Sequence, residues 1–287
     1  MRTAAIQPPA TAPVHADPRV PCGHRGHRPG FRDLLRSERS KLATLRSTWW
    51  SLGVMVLLSL VFTVVATSTV TGQWSTMNAA DRAAFQHDTI GLILQPPAQI
   101  AQLAICVLGA LLMASEFSTG MIRATTLATP RRTPVLMAKA TVFALLVFLL
   151  AEAVAWPAVL IGSSITRAHA SVGIGDPATV RAALSFGLYM SLTGLVALAV
   201  GTLIRHPAAA IAVLAGLQFV LPVALSQVSG SVGEHLAGAL PAGAVAMLGS
   251  GHDAGAAYSP VESFLILLAW AAALLTVAGT SFKKRNL

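Results

Sequence analysis

Glu152 stands alone near the middle of a long apolar run, Ala140 to Ile161. A charge at the centre of a bilayer costs several kcal/mol unless it is paired, hydrated or protonated. Glu152 therefore faces other helices or a pathway. Two readings stay open: a translocation-path or proton-linked carboxylate, or a hydrogen-bond partner for a neighbouring span. A second candidate is Ser115-Glu116-Phe117-Ser118-Thr119-Gly120-Met121-Ile122-Arg123, which runs on to Arg131, Arg132 and Lys139. Glu116 and Arg123 flank a stretch that can turn at Gly120. It reads either as a short helix that docks into a soluble partner or as an ordinary charged loop between spans. Ser250, His252 and Asp253 are the residue types of a hydrolytic triad, but a triad is assembled by the fold and adjacent residues rarely align. Cys22, His24 and His27 make one ligand fewer than a structural zinc site uses, so no metal is expected. Glu262 falls at an end of the last apolar run, where it reaches water.

Nothing in the chain can cradle nucleotide phosphates in the usual way, because no Gly-x-x-x-x-Gly-Lys-Ser/Thr occurs. The two cysteines, Cys22 and Cys106, build no disulfide framework.

The elements that position these residues follow from composition. Of 287 residues 54% are hydrophobic and 11% charged, against roughly 25% charged in soluble domains. The apolar residues fall in blocks of about 20, the length that crosses a bilayer core. Six spans are expected: Trp49 to Ser68, Pro96 to Ala114, Ala140 to Ile161, Ala182 to Leu203, Ala208 to Gln227 and Val261 to Thr280. The fold class is an all-α integral membrane protein, with residues 48–287 forming the six-span domain. Pro96 and Pro97 suit a first helical turn. Pro157 and Pro222 predict kinks. Gly187, Ser191, Gly194 and Gly201 form a small-residue stripe suited to close helix packing. Leu236 to Leu248 is apolar but too short to cross, which fits a re-entrant element shielded by the bundle.

Before the first span, Met1 to Gly30 is Pro-rich and lacks hydrophobic periodicity, as disordered tails do. It has no apolar core or cleavage pattern of a signal peptide. Phe31 to Ser47 has Leu34, Leu35, Leu42 and Leu45 at helical spacing, with Arg32, Arg36, Arg39, Lys41 and Arg46 on the remaining surface. It reads as an amphipathic helix in the headgroup region or as a solvated helix leading into the first span. If the amino terminus is inside, 17 of the 20 Lys and Arg residues fall on that side and three outside. The asymmetry predicts cytoplasmic termini. It also explains the net charge of +9 without nucleic acid.

From Phe31 to the carboxyl end, the layout resembles the permease subunits of type-2 ABC transporters, especially compact six-span members of actinobacterial type. Three motifs carry the likeness: Ser37 to Trp50 (SERSKLATLRSTWW), Ala114 to Thr125 (ASEFSTGMIRAT), and Pro130-Arg131-Arg132 with Lys139. The resemblance implies an ATP-driven exporter in the plasma membrane. ATP would be bound by a separate ATPase subunit, and this chain would pair with a second copy or a sister permease. Glu116, Phe117, Gly120, Met121 and Arg123 would couple to the ATPase. The chain itself would be a transport subunit, not an enzyme, holding no cofactor.

Overall fold

The computed structural model describes residues 32, 35–37, 46–118, 132–249 and 257–284. Among these residues every regular element is helical. The first span is α1 (Arg46–Gly72), followed by a short α2 (Ala79–His87). Spans two to four are α3 (Thr89–Ser118), α4 (Arg132–Thr166) and α5 (Pro177–Ile204). Span five is continuous but composite: α6 (Pro207–Ala215), a π turn (Gly216–Val220) and α7 (Leu221–Ser226). Then come α8 (Ser231–Gly238), a 3₁₀ helix (Pro241–Leu248) and the last span, α9 (Pro260–Lys284). The chain is an all-α membrane protein, and among the described residues six helices are long and apolar enough to cross a bilayer. Alternate crossings put α1's start, the α3–α4 and α5–α6 connections and α9's end on one side, called here the terminal side. The other connections lie on the far side.

The helices outrun the apolar blocks. At 1.5 Å per residue the 35 residues of α4 extend about 52 Å, well past a hydrocarbon core of about 30 Å. Ser115 to Ser118 continue α3, and Arg132 to Lys139 begin α4. The expected connecting segment, Ser115 to Lys139, is therefore helical at both of its ends. Pro96 and Pro97 lie two turns inside α3, not at its first turn. Their missing N–H groups leave the carbonyls of Leu92 and Ile93 without helical donors, a loss that tightly packed membrane helices tolerate. Pro157 is likewise accommodated inside α4. In span five the Leu221 N–H donates to the Gly216 carbonyl, five residues back. The wider turn falls just before Pro222, where an α-helical bond to Gln218 is unavailable.

The central pillar is α5, with 78% of its apolar window buried against 22% for α1. It runs along α3, α4 and α9. Small residues set these distances. A Cβ built on Gly201 would lie 2.6 Å from the Ala110 carbonyl oxygen of α3, and one on Gly109 would lie 2.8 Å from Ala197 Cβ. Gly194 meets Phe143 of α4 and Ile105 of α3. The Ser191 hydroxyl donates to the Ala144 carbonyl of α4. The small-residue stripe therefore packs helices against both neighbours. On α1 the buried stripe is Leu52, Met55, Ser59, Thr63 and Thr67. Thr63 and Thr67 donate to carbonyls four residues back, so these hydroxyls need no partner from lipid.

On the far side, α8 and the 3₁₀ helix turn back onto the bundle. Leu240, Ala244, Met247 and Leu248 are buried. The Trp270 indole donates to the Ala239 carbonyl at 2.9 Å, and the Arg181 guanidinium donates to the carbonyls of Met247 and Gly249. Spanning helices thus supply donors to backbone groups that the short helices leave over. Glu262 accepts from the Ser259 N–H at 2.7 Å while the Ser259 hydroxyl accepts from the Glu262 N–H. This is a reciprocal cap on α9, a structural role at the helix end.

A valine at Gly201 has to displace backbone, so Gly201→Val should destabilise the solubilised protein by at least the ~1–3 kcal/mol of ordinary overpacking. Gly53 has nothing within 4 Å of its Cβ direction, and Gly53→Val should be neutral. Thermal unfolding in detergent checks the pair.

Candidate functional site

The terminal side holds a charged constellation at the base of residues 119–131. Glu116 lies in the last turn of α3. A carboxylate there faces the negative end of the helix dipole and needs a cation. Lys139, two turns into α4, supplies it: its ammonium donates to Glu116 Oε1 at 2.8 Å. Both residues are buried, Lys139 at 3% exposure and Glu116 at 8%. Lys139 was expected among the interfacial cations. It is instead an internal ion-pair partner, because α4 continues helical through Arg132 to Lys139 and carries the side chain against α3.

A third element closes the group. Ile204 ends α5, and Arg205 caps it in the left-handed conformation, φ 60°, with its N–H on the Gly201 carbonyl. Only His206 separates Arg205 from α6, where the His206 ring accepts from the Ala209 N–H. The tight turn puts the Arg205 guanidinium over the Phe117 ring, 4.7 Å from its centre. A cation on an aromatic face is worth about 0.5–1 kcal/mol when exposed and more when desolvated. Phe117 and Glu116 thus tie the end of α3 to the α5–α6 turn and to α4. Arg205 was not among the expected site residues. Its lone positive charge between two apolar runs marked a turn and gave no hint of a ring beneath it.

The other terminal-side expectations divide. Arg32 and Arg36 are exposed on helical residues, and Arg46 and Arg132 open α1 and α4. Arg39, Lys41, Gly120, Met121, Arg123 and Arg131 lie outside the described residues. So do Cys22, His24 and His27, and also Ser250, His252 and Asp253. Among the described residues no three His, Cys, Asp or Glu side chains gather as a metal site would need.

Glu152 lies in the interface of α4 with α5. A Cβ on Gly187 would collide with its Oε1 and lie 2.7 Å from the Phe148 ring, so this glycine makes the room the carboxyl occupies. Neither carboxyl oxygen makes a hydrogen bond of ordinary geometry. The Trp156 indole, one turn on, is the donor beside it. The carboxyl is therefore internal, as its position in an apolar run demanded, and its neighbours are mainly apolar.

No protein-family model matches the chain, and no curated protein matches it.

Glu116 and Lys139 should behave as a unit. Breaking a buried ion pair by removing one partner costs about 3–5 kcal/mol. Glu116→Leu and Lys139→Met should each destabilise strongly, and the double variant should recover most of the loss. A double-mutant cycle in denaturant unfolding measures it. Additive losses would mean that the two charges are independently solvated.

Proposed function

We propose that the chain is the permease subunit of an ATP-driven ABC exporter, residing in the plasma membrane with both termini in the cytoplasm. One observation carries the reading. The buried Glu116–Lys139 pair and the Arg205–Phe117 contact join α3, α4 and the α5–α6 turn at the base of residues 119–131. A soluble motor gripping that segment would move these four helices together, because the contacts between them are ionic and aromatic rather than fluid. The sequence resemblance around Glu116, Phe117, Gly120, Met121 and Arg123 points to the same segment. The excess of Lys and Arg on the terminal side supports the cytoplasmic orientation.

In this reading a separate ATPase subunit binds and hydrolyses ATP. Closure of an ATPase pair pushes on residues 119–131. The push passes through Glu116 to α4 and through Phe117 to α5 and α6, shifting the bundle between inward and outward access. Two permease copies, or this chain with a sister permease, form the pathway.

A second reading has a specific observation behind it. Glu152 keeps both carboxyl oxygens buried without an ordinary hydrogen bond. That suits a group that gains and loses a proton in a secondary transporter.

Gentle extraction and capture through this chain should recover a stoichiometric P-loop ATPase. Glu116→Ala with Arg123→Ala should weaken that recovery or uncouple ATP hydrolysis from transport. Recovery of the chain alone, with flux in proteoliposomes that follows a pH gradient and vanishes in Glu152→Gln, would select the secondary transporter.

A further inference from the structure

Five polar side chains meet at mid-depth in the bundle. Gln102 and Cys106 lie one turn apart on α3. Tyr189 and Thr193 lie one turn apart on α5. Gln218 is the central residue of the π turn in span five. The Tyr189 hydroxyl donates to Gln102 Oε1 at 3.0 Å. Thr193 stands beside Tyr189, and the Gln218 amide beside the Cys106 thiol. All are buried: Gln102 is 4% exposed, Gln218 and Cys106 3%, Tyr189 and Thr193 0%.

Part of their hydrogen-bonding capacity is unused. Gln102 Nε2, Thr193 Oγ1 and both amide atoms of Gln218 have no partner of ordinary geometry. Exchanging the oxygen and nitrogen of Gln102 only moves the deficit, because the Tyr189 hydroxyl serves either atom and leaves the other over. Buried polar groups are normally paired, and unpaired ones call for an explanation. Elsewhere in the spans, hydroxyls such as Thr63, Thr67, Thr141 and Thr202 satisfy themselves on carbonyls four residues back. A glutamine amide held between helices has no such local outlet.

The backbone adds a second observation. π turns are rare and concentrate at functional sites. This one, set just before Pro222, lies at the residue whose amide makes no hydrogen bond of ordinary geometry. The unused atoms include donors and acceptors, and none of the five residues is Asp, Glu, Lys, Arg or His. An ion would find no counter-charge here. A neutral group that both gives and accepts hydrogen bonds would find a matching set.

We propose that Gln102, Cys106, Tyr189, Thr193 and Gln218 form an intramembrane binding site for an uncharged ligand bearing carboxamide or hydroxyl groups. Glu152 is not part of it. Gly187, which faces Glu152, and Tyr189 are two residues apart on α5, about 200° around the helix. The carboxyl and the amide site therefore occupy opposite faces of α5. The site does not depend on an ATPase partner, so it can be tested on the isolated chain.

With Cys22→Ser, Cys106 is the only thiol, and it lies inside the site. Iodoacetamide is a small neutral carboxamide, and iodoacetate is its charged counterpart. In either reaction sulfur displaces iodide, and the thiol proton goes to solvent. The full chain in detergent micelles should be alkylated at Cys106 by iodoacetamide, with a rate that saturates with reagent concentration and falls when acetamide is added. Iodoacetate should leave it unlabelled. Gln218→Leu should slow the iodoacetamide reaction about tenfold, the factor that one net hydrogen bond supplies, and should abolish the acetamide effect. If Gln218→Leu does not fold to a monodisperse species, Gln102→Met serves the same comparison. A Cys106 that reacts only after denaturation overturns the proposal. So does labelling that is linear in reagent, indifferent to acetamide and equal in the variants.

Discussion

In lipid the apolar side chains of α5 gain nothing by leaving the membrane, so its contact with α3 has to come from dispersion across a short distance between backbones. Gly109 against Ala197 and Gly201 against Ala110 supply that distance. Gly187 and Gly194 do the same for α4. Once α5 is seated, the ends of α3 and α4 are brought close enough for Lys139 to reach Glu116. The α5–α6 turn then falls beside Phe117. Long charged side chains finish an arrangement that glycines and alanines begin.

The second constraint is that backbone groups at membrane depth must find partners inside the protein. Most are satisfied by unbroken helices. Where proline removes a donor, the chain responds in different ways. Pro96, Pro97 and Pro157 stay inside continuous helices, whereas Pro222 follows a π turn. On the far side the short helices leave carbonyls over, and Arg181 and Trp270 of the spanning helices meet them. An arginine at the end of a span thus serves as a clamp on a neighbouring segment.

The number of spans and their approximate centres were legible in the sequence because a bilayer imposes one length on every apolar block. Helix ends were not, because a helix can run on into charged residues when those residues find partners. Lys139 shows this. As a letter in a row of basic residues it reads as an interfacial cation, and only the seating of α4 on α3 makes it internal. Glu152 was legible as internal, since an isolated carboxyl in a long apolar run has nowhere else to be. The glutamines were harder to read. Gln102, the third of three glutamines in eight residues, and Gln218 are 116 positions apart, and what joins them is the packing of three helices. The small-residue stripe of α5 revealed close packing, but not that successive members of it serve two different neighbours.

The turn between α5 and α6 consists of Arg205 and His206 alone, and this bears on how the protein is made. Two spans joined by two residues cannot enter a membrane independently. Once α5 is in place, α6 has no slack with which to wait in water, and an error in one is an error in both. The pair is therefore a single hairpin during biosynthesis. The left-handed backbone of Arg205 sets its bend, and the Arg205 charge is the only Lys or Arg there to hold the bend at the surface. The residue that rests on Phe117 is thus also the one that closes the bend between the two spans.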